Sequence, residues 1–208
     1  AACELFAQLV SLQLQSRVEL QRSRERARQQ GLLLRLTGLM AQHDFPASLI
    51  GHEPNLLALV GASSVVVTSD GACSALGDAP GAADVKAVSA WLTDKIASGV
   101  FATDRLQESG CPPLQSPQGG LLAIATSRVP RDYVMWFRRP QRLEVRWAGD
   151  PTKAVELGIN GERLTPRKSF EIWTEEVGGR SLPWSEEDVE AANAFRVEFL
   201  EIVLRRLD

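Results

Sequence analysis

The chain has 208 residues, enough to bury one good core, so a single domain is the natural expectation. Hydrophobic residues make up 44% and charged residues 24%, an ordinary globular composition, and the formal charge of −3 argues against any general affinity for nucleic acid. Cys3, Cys73 and Cys111 have neither zinc spacing nor a CxxC pair, which argues against a disulfide framework and fits a reducing, cytoplasmic setting; no apolar run approaches the roughly 20 residues that span a bilayer.

Residues 1 to 40 read as one long helix. Leu5, Leu9, Leu12, Ser16 and Leu20 recur at spacings of three and four. The stripe then fades through a polar stretch with Arg22, Arg24, Arg26 and Arg28, read as a solvated helix surface. It returns with Leu32, Leu33, Leu36 and Met40. Such a stripe suits a helix that packs on different partners at its two ends, or on a twin in a dimer. The chain opens in this pattern without a cap or a signal peptide, and it closes at Arg205-Arg206-Leu207-Asp208 still in a helical pattern. Two uncapped ends are expected of a piece cut from a longer protein through continuing helices.

Phe45 to Ala62 reads as helical segments broken by Pro46 and Pro54. Ser64 to Thr68 and Cys73 to Leu76 are short apolar runs around Asp70-Gly71, a hairpin signal. Val85, Val88, Trp91, Leu92 and Ile96 fit a helix of about four turns. Val100 to Leu114 has no regular pattern. Gly120 to Thr126, Asp132 to Arg138 and Leu143 to Trp147 read as three strands, close in sequence and expected to pair antiparallel.

Periodicity lapses from Gly149 to Pro183, and loops of this length in compact domains tend to be functional or disordered. Phe170 and Trp173 argue against simple disorder. Ser185 can cap a final helix with Asp188 three residues on, and Trp184 and Val189 occupy the hydrophobic-staple positions. Val189, Ala192, Phe195, Phe199, Ile202 and Val203 form its apolar stripe. Strands framed by long helices indicate an α+β domain around one antiparallel sheet.

Nothing in the chain has the spacing of a catalytic centre. His43 and His52 lack clustered ligands, and there is no GxSxG, Walker loop, HExxH or dinucleotide fingerprint. Glu186-Glu187-Asp188 lies in a first helical turn, where the helix dipole already favours negative charge. The chain is not expected to be an enzyme by itself.

Five segments in the C-terminal half carry a resemblance. They are Trp136-Phe137-Arg138, Trp147-Ala148-Gly149, Pro166-Arg167-Lys168-Ser169-Phe170, Trp173-Thr174-Glu175 and Leu182-Pro183-Trp184. In this order and register the whole chain resembles the PHY (phytochrome-specific) domain of bacterial phytochromes. One departure is Arg139-Pro140, where the family usually has Pro-Glu directly after the arginine. The resemblance implies a GAF-like fold with a spine helix over 1–40, a core over 41–148, a "tongue" over 149–183 and an output helix over 185–208. The tongue would reach the neighbouring chromophore-binding GAF domain through Pro166, Arg167, Ser169 and Phe170, with Arg167 pairing with an aspartate in one photostate and Ser169 contacting the same region in the other. Trp147, Gly149, Trp173, Glu175 and Trp184 would form its switch and base, with Trp147 and Trp184 near each other. Biliverdin would be held in the neighbouring part of the parent, since none of the three cysteines lies in the attachment context. The partners implied are the parent's own GAF domain, an output histidine kinase and a second copy through the helices.

The residues themselves leave residues 170 to 177 open. As a strand, Phe170 and Ile172 share one face, and Glu171, Trp173 and Glu175 share the other; as a helix, Phe170, Trp173 and Val177 form one stripe. Two packings separated by a few kcal/mol would make a switch. Arg167 suits bidentate pairing with a carboxylate, which Lys168 could not match. The alternative readings are a stand-alone GAF-like sensor of a small ligand and a purely structural dimerisation module.

Overall fold

A computed structural model of the chain describes residues 2–42, 47–96, 99–127, 132–148 and 172–207. The elements run α1 (Ala2–Gln42), α2 (Ala47–Gly51), α3 (Leu56–Val60), β1 (Ser64–Ser69), β2 (Ala72–Gly77), α4 (Ala82–Lys95), β3 (Val100–Thr103), a 3-10 turn (Gln107–Ser109), β4 (Gly120–Ala125), β5 (Tyr133–Arg138), β6 (Gln141–Ala148), β7 (Ile172–Arg180) and α5 (Glu186–Leu207). The fold is the expected α+β class.

Five strands form one antiparallel sheet in the order β2-β1-β5-β4-β3. Its central strands are apolar on both faces, and their alternation sorts side chains into two cores. Val65, Val67, Leu122, Ile124, Val134 and Trp136 face Leu36 and Met40 of α1, Leu56 and Leu59 of α3, and Phe195 and Phe199 of α5. Val66, Leu121, Ala123, Tyr133, Met135 and Phe137 face Val85, Val88 and Leu92 of α4. The Trp136 indole is fully buried, donates from Nε1 to the Leu56 carbonyl at 2.9 Å, and meets Phe195 edge-on. The β1–β2 hairpin closes on Asp70 (φ 49°) and Gly71 (φ 79°), the left-handed pair that a two-residue type I′ turn requires.

Three expectations need correction. The third strand of the 120–147 region does not join the sheet: β6 pairs with β7 in a separate two-stranded ribbon. β7 itself lies in the stretch that showed no period, because its Glu175-Glu176 and Gly178-Gly179 dilute any alternation. Val100–Thr103 is a strand, β3, paired with β4; four residues are too few to display a period of two.

α1 is two different helices chemically. Leu36 and Met40 are 0% and 2% exposed, whereas Leu5, Leu9 and Leu12 are each 61% exposed. The fading stripe therefore corresponds to a change of surroundings: the C-terminal part packs on α3 and α5, and among the described residues the leucines of the N-terminal part are exposed. The arginine run between them is more than a solvated face. Arg26 sits 3.3 Å from Glu190, Arg22 and Arg26 each lie 3.7 Å from the buried Glu187, and Arg28 donates to the Ala58 carbonyl at 2.7 Å while pairing with Glu25. The acidic first turn of α5 thus meets both its own helix dipole and a basic face of α1.

Candidate functional site

The β6–β7 ribbon leaves the domain from a stem built around β5, β4 and the entry to α5. At its start Gln141 pairs with Arg180. Gly119, just before β4, donates its N–H to the Arg138 carbonyl at 2.9 Å and accepts from Leu106 N at 3.0 Å. Ser181, just after β7, donates its N–H to the Asp104 carbonyl at 2.9 Å, and Arg180 lies 3.4 Å from Glu108. Both legs press on Gly119: a Cβ there would fall 2.7 Å from Pro140 Cα, 2.8 Å from Ser181 N and 2.9 Å from Arg180 C. Glycine is required here by close backbone approach.

Arg138, the last residue of β5, gathers the stem. Nη2 donates to the Val60 carbonyl at 2.7 Å and to Asp188 Oδ2 at 3.0 Å, and Nη1 donates to the Pro183 carbonyl at 2.8 Å. The guanidinium carbon lies 3.8 Å from the centroid of the Trp184 ring, a cation–π stack. Arg138 and Asp188 side chains are only 15% and 10% exposed, so solvent screens this pair less than a surface ion pair. Asp188 and Ser185 form the reciprocal cap expected of them: Asp188 N donates to Ser185 Oγ and Ser185 N donates to Asp188 Oδ2, both at 3.1 Å. Asp188 Oδ1 also accepts from the buried Gln29 of α1 at 3.3 Å. Trp184 Nε1 donates to the Thr103 carbonyl at 3.1 Å. An open cleft of about 660 Å³ runs beside the stem, lined in part by Ser63, Arg139, Gln141 and Pro183.

The sequence-derived site residues divide into three groups. Gly149, Pro166, Arg167, Ser169 and Phe170 lie outside the described residues. Trp147 and Trp173 are register partners across the ribbon, and Glu175 is opposite Val145. Trp184 sits at the stem. Trp147 and Trp184 are therefore not neighbours at the base as expected: Trp147 is six residues along β6 from Gln141, or about 20 Å at the rise of a strand. Gly119, Ser181 and Asp188 went unrecognised as parts of the stem. Asp188 was legible only as a helix cap, and Arg138 only as the end of a motif, because their meeting joins residues 50 apart.

Cys3 and Cys73 are exposed, and Cys111 is half-buried. Burial, with Asp84 nearby, pushes the Cys111 thiol up to about 11, which keeps it protonated and weakly nucleophilic at neutral pH. His52 is exposed and His43 lies outside the described residues. Among the described residues no cluster of His, Cys, Asp and Glu could hold a metal, and no helix is long and apolar enough to cross a membrane.

The family model described as "Phytochrome region" (PHY) matches residues 27–208. Cyanobacterial phytochrome B from Nostoc sp. is 34% identical over 212 residues, covering 100% of this chain and 28% of the relative. A bacteriophytochrome from Pseudomonas aeruginosa is 42% identical over 109 residues, covering 50% of this chain and 15% of the relative. The chain thus spans about a quarter or less of these relatives. Among solved structures, the photosensory core module of Stigmatella aurantiaca phytochrome aligns with a TM-score of 0.69 and 37% identity, covering 88% of this chain and 37% of that one. A bacteriophytochrome from R. palustris aligns with a TM-score of 0.71 and 32% identity, covering 99% and 42%. A five-stranded antiparallel sheet between helices, a separate two-stranded ribbon that follows β5, and a family match over most of its length identify the chain as a member of the phytochrome-region family, a PHY domain.

Proposed function

We propose that the chain is the signal-relay domain of a red/far-red photoreceptor, with residues 149–183 as a tongue that contacts the parent's chromophore-binding GAF domain. The observation that carries this reading is the ribbon's position. Its exit strand β7 ends at Arg180, and only five residues separate it from α5, so displacement of the ribbon acts directly on the first turn of a long helix. Pro166, Arg167, Ser169 and Phe170 form the contact with the GAF domain, with Arg167 binding a carboxylate there in one photostate. The segment around Trp173 and Glu175 is the part that changes packing, and the strand register Trp147–Trp173 is one of its two arrangements. Gly149 belongs with the switch residues of the tongue, and Trp184 holds the base.

The three cysteines do not suit bilin attachment: two are exposed on regular elements, and the third has its thiol held protonated. A bilin, biliverdin in the bacterial members, belongs to the neighbouring domain and supplies light absorption there. This chain's part is to bind, strain and transmit. Refolding of the tongue changes its effective length. The stem passes the strain to α5 and, through the Gln29–Asp188 and Arg26–Glu190 contacts, to α1. These helices lead to an output module, a histidine kinase, and the exposed N-terminal stripe of α1 pairs with a second copy.

Replacing Arg167 by Ala in the intact, biliverdin-loaded photoreceptor tests the contact. Altered photostate stability or reversion is expected. Spectra and reversion kinetics identical to the wild type would remove Arg167 from the mechanism.

A further inference from the structure

We propose that Arg138 is the positioning residue that passes displacement of the ribbon to α5 and α1 together, an inference that rests on the relay reading above. Four groups, from α3, the ribbon's exit leg and α5, meet on this one guanidinium. It receives the carbonyl of Val60 at the end of α3, the carbonyl of Pro183 on the ribbon's exit leg, the carboxylate of Asp188 in α5, and the face of Trp184 between them. Arg138 is itself the end of β5, a central strand of the sheet, and its carbonyl is held by Gly119 N. The anchor therefore sits on the sheet, while Pro183, Trp184 and Asp188 lie on the route from ribbon to helix.

The groups facing Arg138 explain why arginine is needed. Pro183 has no N–H and cannot donate to a continued β7 ladder, and its carbonyl is taken by Arg138 Nη1 at 2.8 Å. Asp188 is shared: one oxygen takes Arg138 and Ser185 N, the other takes Gln29 of α1. Any shift of residues 182–184 must carry or break the Arg138 bonds, and either outcome changes how Asp188 is held. α5 and α1 then respond as a pair. A lysine carries the charge, but its single Nζ cannot replace two separate nitrogens that reach acceptors on α3, the exit leg and α5 while a planar group lies over the indole.

Hydrogen exchange on the biliverdin-loaded parent photoreceptor, after red and after far-red illumination, tests this. The readout compares residues 172–180 with the first turns of α5 and the part of α1 around Gln29. In the wild type, both regions should differ between photostates. In R138M the ribbon should still respond, while the differences in α5 and α1 are lost, and R138K should not restore them. D188N, which keeps a capping side chain, should show the same split if R138M does not fold. A wild-type-sized α5 response in R138M, R138K or D188N overturns the proposal. A wild-type ribbon that is indifferent to light overturns the relay reading and, with it, this inference; the two failures are told apart by whether the wild type or only the variants misbehave.

Discussion

Gly119→Ala should be among the more damaging single-methyl additions in this domain. The new Cβ would lie 2.7–2.9 Å from Pro140 Cα, Ser181 N and Arg180 C, where carbon contacts normally sit at about 3.5–4.0 Å. All three neighbours are backbone atoms, and they belong to the two opposite legs of the ribbon stem. No rotamer change relieves the overlap. Ser181 N cannot retreat without loosening its bond to the Asp104 carbonyl. Overpacking of this kind costs about 2–3 kcal/mol, and the strained hydrogen bond about 1 kcal/mol more. The loss of glycine entropy in the unfolded chain returns about 0.4–1 kcal/mol. The net is about 2–3.6 kcal/mol, and for a domain of this size Tm should fall by roughly 4–14 °C. Gly31→Ala is the matched control. It makes the same chemical change in the interior of α1, where a Cβ meets nothing within 4 Å, and should raise stability by about 0.5–1 kcal/mol. Thermal unfolding of the two variants beside the wild type decides the matter. If Gly119→Ala melts at or above the wild type, the stem is not seated as described.

Other consequences are open to measurement. Trp136→Phe removes the donor to the Leu56 carbonyl and shrinks a fully buried ring, so the urea midpoint should drop by the equivalent of about 2–4 kcal/mol. With Cys3 and Cys73 replaced by Ser, alkylation of Cys111 should be slow at pH 8 and accelerate only as pH approaches its thiol value of about 11; rapid reaction at pH 8 would contradict the burial described. The Arg28 hydrogen bond holds the Glu25 carboxyl below its ordinary value of 4.5, so its contribution is present above that value and lost as pH falls through the lower, folded-state value. The stability gap between wild type and Glu25→Gln should accordingly be small at pH 7, because the pair is half-exposed, and close in acid. On the proposed pairing of α1 with a second copy, serine at Leu5, Leu9 and Leu12 together should weaken self-association of the parent protein about 100-fold or more in sedimentation, given about 1.5–3 kcal/mol for each leucine that becomes buried.

Local chemistry made much of this domain legible from sequence. Asp70-Gly71 specifies a two-residue turn because few other pairs accept two left-handed residues in succession. Ser185 and Asp188 declare a helix start because capping involves residues three apart. The 64–68, 120–126 and 132–138 runs announce strands because apolar β-branched and aromatic residues crowd them. The leucine stripe of α1 even revealed, by fading and returning, that its two ends have different surroundings. What tertiary structure alone decided is which partners such segments choose. β6 alternates like a sheet strand, yet its register belongs to β7, a strand whose charges and glycines hide it. The arginines of α1 read as solvated until α5 placed Glu187 and Glu190 beside them. Arg138 ends a strand in sequence, but its carboxylate lies 50 residues away and its carbonyl acceptor on α3 lies 78 residues away. Spacing rules reach about one helical turn or one hairpin, and the stem of this domain is assembled from contacts far beyond that range.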